Sequence, residues 1–279
     1  MQINILEYLE NLIAGPDRDK TAIIDHDRSW SFAELDACSK RCAALLIGQF
    51  DVLNQPVAVY LPKSAGVIFA NLGIVYSGNI YTNLDVKSPI QRTKAIIDNI
   101  APILIVTSQA LAPDLEAVGV QRKNIFLIEQ IYDEAVSFVG ADLWQRLSGV
   151  IDTDPLCIIN TSGSTGVPKG VVLNHRSTID FMDWCFDCLK LNGTERIGSL
   201  SPFHFDIYTL ELNLCLARGA TMVLIPDQMA IFPAKLMDFL ASQAISFLFW
   251  VPSIMVNIAN QGLLEIGRAS WRERVFKDV

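Results

Sequence analysis

Short apolar runs rich in β-branched residues alternate, along most of this chain, with segments whose apolar residues recur every three to four positions. Residues 56–61, 103–107, 124–128, 156–160, 221–225 and 247–250 read as strands, while 64–76, 90–99, 174–190, 208–217 and 233–243 carry helical spacing. A helix over 37–46 can start from Ser31 or Asp36, with Leu35, Cys38, Cys42, Leu45 and Leu46 on one stripe. Strands interleaved with helices need a mostly parallel sheet covered by helices, so the chain is an α/β protein. Its 279 residues, 51% of them hydrophobic, suffice for a large core in one big domain or two modest ones. The acidic stretch 132–154 reads as a loop.

A formal net charge of -8 argues against a surface that neutralises nucleic-acid phosphates or anionic lipid. Residues 1–10 read as an amphipathic helix, since Glu7 and Glu10 stand where a secretory signal is basic or apolar. The apolar stretch 65–76 is too short to span a bilayer, so a cytoplasmic protein is expected. Six cysteines, with Cys185 and Cys188 forming one CxxC pair without a second pair or nearby histidines, are expected in the core. No metal site is expected from protein ligands alone.

Residues 161–170, Thr-Ser-Gly-Ser-Thr-Gly-Val-Pro-Lys-Gly, lie between two apolar runs. Glycines let backbone N–H groups converge on an anion, hydroxyls add donors, and a lysine adds a full positive charge. Such a loop suits triphosphate oxygens. It is not a Walker A loop, because Pro168 stands five residues after Gly163 and a second strand, not a helix, follows Gly170. A Gly/Ser-rich hairpin turn is the plainer alternative.

At these residues the chain resembles the adenylate-forming (AMP-binding) superfamily, which includes acyl-CoA synthetases, luciferase-like enzymes and the adenylation domains of nonribosomal peptide synthetases. Trp30, Ser31, Phe32, Ala33, Glu34 and Leu35 resemble the first core motif of its amino-acid-activating branch. Residues 78–85, with Pro89 and Arg92, resemble the second, where Asn83 replaces a usual proline. The resemblance implies the N-terminal portion of the family's large domain, with ATP and Mg²⁺ as cofactors. Thr161, Ser162, Gly163, Ser164, Thr165, Gly166, Lys169 and Gly170 would form the nucleotide site, with Lys169 and Thr165 closest to the chemistry.

Residues 201–210 resemble the segment that opens the family's acyl pocket. In the amino-acid-activating branch an Asp directly after Phe binds the substrate's α-ammonium, which points to Phe205 and Asp206. A carboxylate in an apolar pocket needs a cationic partner, and an ammonium supplies one. Asp206 as a helix N-cap is the competing reading. Ile207, Leu210 and Phe249 map onto further pocket-lining positions, and all three are apolar, which favours an uncharged substrate side chain. His204 beside the pocket either tunes the acyl site or satisfies a buried contact; His175 is expected to be structural and His26 to lie on the surface.

The resemblance implies attack of a substrate carboxylate on the α-phosphorus of ATP, release of pyrophosphate, then transfer of the acyl group to a thiol, on a carrier-protein phosphopantetheine or coenzyme A. It points to an amino-acid ligase, standalone like D-alanine-activating ligases or part of a peptide synthetase; an acyl- or aryl-CoA synthetase and a non-catalytic nucleotide-binding fragment are the alternatives. It covers residues 1–264, roughly half of a family member, and has no counterpart here of the adenine and ribose motifs or of the small C-terminal domain with its lysine. Residues 265–279 turn basic through Arg268, Arg272 and Arg274, look like the translation of a sequencing adaptor apart from Trp271, and are expected not to be native.

Overall fold

A computed structural model describes residues 2–133, 140–161 and 168–263. Ten strands run in chain order as β1 (Thr21–Asp25), β2 (Arg28–Ser31), β3 (Pro56–Tyr60), β4 (Ile80–Asn83), β5 (Leu104–Thr107), β6 (Ile125–Leu127), β7 (Pro155–Thr161), β8 (Lys169–Asn174), β9 (Arg196–Ser199) and β10 (Thr221–Leu224). The helices are α1 (Leu6–Ala14), α2 (Phe32–Gln49), α3 (Ala65–Tyr76), α4 (Ile90–Ile100), α5 (Ala112–Ala117), α6 (Gly140–Leu147), α7 (His175–Leu189), α8 (Asp206–Arg218), α9 (Pro233–Ser242) and α10 (Pro252–Asn260).

The strands form two sheets, one in the order β2-β1-β10-β9 and one in the order β6-β5-β3-β4-β7-β8. Each is parallel except for one antiparallel edge pair, β1/β2 in the first and β7/β8 in the second. The expected α/β class and the mostly parallel pairing are therefore both present. In open parallel sheets, ligand-binding loops gather beyond the carboxyl ends of the strands. The segments after β3, β4, β7, β9 and β10 are the ones to inspect.

Helix α3 is apolar on every side, and all twelve of its residues are buried. It packs against α2 and touches β1 of one sheet and β3 and β4 of the other. Its approach to α2 depends on Gly73, where a Cβ would sit 2.6 Å from the Cys42 Cβ. Each fully buried Leu, Ile or Phe of such a helix stabilises the fold by about 1.5–3 kcal/mol. Helix α2 starts from Ser31, whose Oγ accepts the Glu34 N–H while the Glu34 carboxylate accepts the Ser31 N–H.

Several expectations change. The expected strand over 247–250 is a single parallel bridge, Ile197 to Phe247, with the Gly198 N–H donating to the Phe247 carbonyl. The stretch 132–154 is not wholly a loop, because α6 lies within it. Strands β1, β2, β4 and β9 are not among the expected strands, and α8 begins two residues earlier than its apolar spacing suggests. Cys38, Cys42, Cys157, Cys185 and Cys215 are buried as expected, but Cys188 is exposed. His175 is buried and its Nδ1 accepts the Ile5 N–H at 3.3 Å, whereas His26 is exposed. The expected division at residue 264 and the tail 265–279 fall outside the described residues. Among the described residues, no helix is long and apolar enough to cross a membrane.

Candidate active site

Chain segments leaving β3, β4, β9 and β10 at their carboxyl ends enclose a cleft of about 300 Å³. Leu61, Val67, Leu84 and Phe203 provide apolar walls, and Lys63, Asn83, Asp85, His204 and Asp227 supply the polar groups. Lys63, with its side chain only 8% exposed, lies 3.7 Å from the Asp227 carboxylate, which also pairs with Lys87. Burial pushes the Lys63 ammonium pKa down, and the opposing charge of Asp227 limits the fall. A larger cavity of about 790 Å³, lined by Phe50, Ile97, Ile103 and Val120, contains none of the expected site residues.

Lys63, Asn83 and Asp227 were not marked as site residues. A signal for two of them is present: Leu61-Pro62-Lys63 and Ile225-Pro226-Asp227 each place a charge just after a proline that follows an apolar strand. Proline stops the ladder there, so the next side chain leaves the sheet at its carboxyl end.

Strands β7 and β8 pair antiparallel on either side of residues 162–168, the segment expected to hold phosphate. Thr161 and Lys169 face each other in the last register pair, and the Thr161 hydroxyl donates to the Lys169 carbonyl at 3.3 Å. Gly170 packs so tightly that a Cβ there would lie 2.7 Å from the Ile158 Cγ2. Lys169 is exposed and makes no ion pair among the described residues. The expected ligands Ser162, Gly163, Ser164, Thr165 and Gly166 fall outside the described residues. Asn99 of α4 donates to the Pro168 carbonyl at 3.3 Å, tying the exit of the loop to the helix layer.

Asp206 occupies the first position of α8 and is exposed; its Oδ1 accepts the adjacent Ile207 N–H at 2.9 Å. The N-cap is Phe205, so Asp206 is not the cap proposed as its competing role. Helix N-termini favour a negative charge in the first turn, and the exposed position of this carboxylate leaves it accessible to a cation. Phe205 is about half exposed, Ile207 is partly buried, Leu210 is buried in the core and Phe249 is exposed. His204 lies against Phe205 with ring centres 4.5 Å apart, and burial is the largest cause of its lowered pKa. The structure thus groups His204, Phe205 and Asp206 at one strand end, while Leu210 points into packing.

Comparison with known proteins gives the family and the fold. The family model for AMP-binding enzymes matches residues 12–273, so the chain belongs to the AMP-binding enzyme family. It is 27% identical over 252 residues to an L-proline--[L-prolyl-carrier protein] ligase of Pseudomonas fluorescens, covering 87% of this chain and 49% of that protein. Its fold is similar to that of the nonribosomal peptide synthetase FmoA3 in its α-methyl-L-serine-AMP-bound form (TM-score 0.77, 19% identity, 92% of this chain and 28% of that one). It is also similar to o-succinylbenzoate CoA synthetase of Bacillus subtilis in complex with the acyl-adenylate intermediate OSB-AMP (TM-score 0.75, 20% identity, 93% and 64%). The chain therefore spans about half the length of the first of these relatives.

Proposed function

We propose that the full-length protein carrying this chain activates an amino acid with ATP as its aminoacyl-adenylate and then passes the aminoacyl group to a thiol. The observation that carries this reading is Asp206, an exposed carboxylate directly after Phe205 at the first turn of α8, without a cationic partner among the described residues. A substrate ammonium seated on Asp206 holds its own carboxylate a bond or two away. Phe205 and Ile207 flank the remaining side chain.

In the proposed reaction a substrate carboxylate oxygen forms a bond to the α-phosphorus as the bond from that phosphorus to the bridging oxygen breaks. Pyrophosphate leaves with the electron pair. The protein's task is alignment and charge stabilisation. Lys169, at the mouth of the β7/β8 hairpin, neutralises developing charge on the β- and γ-phosphates, and Ser162, Ser164 and Thr165 are proposed to donate to the same oxygens. Mg²⁺ is proposed to enter as an ion carried by the triphosphate. When bound, it would offset phosphate charge. The thiol belongs to a carrier-protein phosphopantetheine or to coenzyme A, and localisation in the cytoplasm accords with either. Residues 1–264 are proposed to form part of the nucleotide-binding domain, and the 279-residue chain alone to be inactive.

The test is ATP–pyrophosphate exchange by the full-length protein with a panel of amino acids and their deaminated analogues. Exchange with amino acids alone supports the role of Asp206. Faster exchange with fatty or aryl acids than with every amino acid contradicts it and favours an acyl- or aryl-CoA synthetase.

A further inference from the structure

The segment between β9 and α8, residues 200–205, is gripped from the other sheet. Asn83, the last residue of β4, donates from Nδ2 to the Phe203 carbonyl at 2.9 Å. Lys63, just beyond β3, donates to the Ser199 carbonyl at 2.7 Å and lies 5.8 Å from the Phe203 ring centre. At the base of the segment, the Ser199 hydroxyl donates to the Glu211 Oε2 at 2.6 Å. Three hydrogen bonds thus hold Ser199 and Phe203, the entry and the middle of a short segment that leads straight into Phe205 and Asp206.

These contacts are poor choices for stability alone. Glu211 is completely buried and Asn83 is 8% exposed, and among the described residues neither the Glu211 Oε1 nor the Asn83 Oδ1 has a hydrogen-bond partner. Burial drives the Glu211 carboxyl pKa up, because the surroundings resist its charge. A buried acceptor without a donor weakens a fold, and an apolar side chain would fill either place without that penalty. Local rules are broken most often where function needs the broken arrangement. Asn83 also stands where proline is usual in the resembling motif, and proline has no side-chain donor to offer. The link from Asn83 to Phe203 is therefore a feature of this chain's own sequence.

We infer that Asn83, supported by Lys63 and Glu211, is a positioning residue that sets where Phe205 and Asp206 meet the acid substrate. This rests on the proposed amino-acid activation. Asn83 fixes the Phe203 carbonyl, the Phe203 ring stacks on Tyr208 with centres 4.1 Å apart, and the backbone between them carries the substrate-facing residues. Releasing the carbonyl lets that backbone shift against the ammonium site, while the β7/β8 hairpin remains unaffected. Substrate positioning tolerates little displacement.

The test uses the full-length protein and Asn83→Ala, with the exchange KM measured separately for the best amino acid and for ATP, alongside the thermal midpoint. The expected result is a rise of about three- to tenfold in the amino-acid KM, the loss of one hydrogen bond, with the ATP KM unchanged and at most a small fall in the midpoint. Asn83→Pro, which restores the residue usual in the motif, is expected to give the same split and decides the matter if Asn83→Ala does not fold. An unchanged amino-acid KM overturns the inference. So does a joint change of both KM values with a lowered midpoint, or failure of both variants to fold, because each assigns Asn83 to folding alone. If the unmodified protein exchanges with no amino acid, the functional proposal itself has failed, which is a different result from normal exchange indifferent to Asn83.

Discussion

The Asn71 side-chain amide donates a 2.9 Å hydrogen bond to the hydroxyl of Tyr208, 137 residues away, with both side chains fully excluded from solvent. This bond joins α3 to α8, the helix that begins with Asp206. The Asn71 Oδ1 lacks a hydrogen-bond partner among the described residues, so losing the Tyr208 hydroxyl would strand the other end of the amide as well. Tyr208→Phe keeps the ring stacked on Phe203 and is expected to lower unfolding stability by about 1–3 kcal/mol. Urea denaturation measures it, and an unchanged midpoint contradicts the account.

His175 supplies a dependence on pH. Burial is the largest cause of its shift and lowers its pKa from 6.5 to about 4, with Asp154 and Asp152 opposing the fall. The unfolded chain therefore binds a proton on this residue at a higher pH than the native one. The stabilisation is fully present above about pH 6.5 and is lost as pH falls towards 4, by up to about 3 kcal/mol. His175→Asn is expected to lose less stability than the unmodified protein between pH 7 and 5 in urea titrations; an equal loss excludes this histidine as the cause.

The parts of the fold that could be read in the sequence are those where one physical signal dominates. Helix α3 and strand β3 are continuous apolar runs, and the Ser31/Glu34 pair announces the start of α2. Helix α6 is hidden because it opens on Gly140 and, among its described side chains, only Leu143 and Leu147 are buried, while Arg146 anchors it through a hydrogen bond to the Ser77 carbonyl. The turn between β1 and β2 contains no glycine; His26 takes the positive φ of 52° that would ordinarily mark one. The run at 247–250 has strand composition, but pairing there is limited to one bridge and Phe249 is exposed. At the candidate site, the motif singled out Phe205 and Asp206, and both are exposed at the start of α8. Lys63 and Asp227 were not singled out, because their proximity depends on two strands from different sheets ending at the same cleft.

The proposed role of Lys169 predicts an effect on catalysis and not on folding. Its side chain is exposed and contributes no core packing, so Lys169→Ala should leave the thermal midpoint nearly unchanged. Loss of a charge that stabilises the transition state is expected to reduce exchange by about a hundredfold. A midpoint lowered as far as by a core truncation such as Ile74→Ala would instead assign the hairpin a structural role.

The most direct test of the account is identification of the product made when the full-length protein is mixed with ATP and its preferred amino acid. Mass spectrometry should detect the aminoacyl-adenylate with stoichiometric pyrophosphate, and added hydroxylamine should convert the adenylate to the hydroxamate with release of AMP. Formation of ADP and phosphate, which requires cleavage between the β- and γ-phosphates, would contradict it.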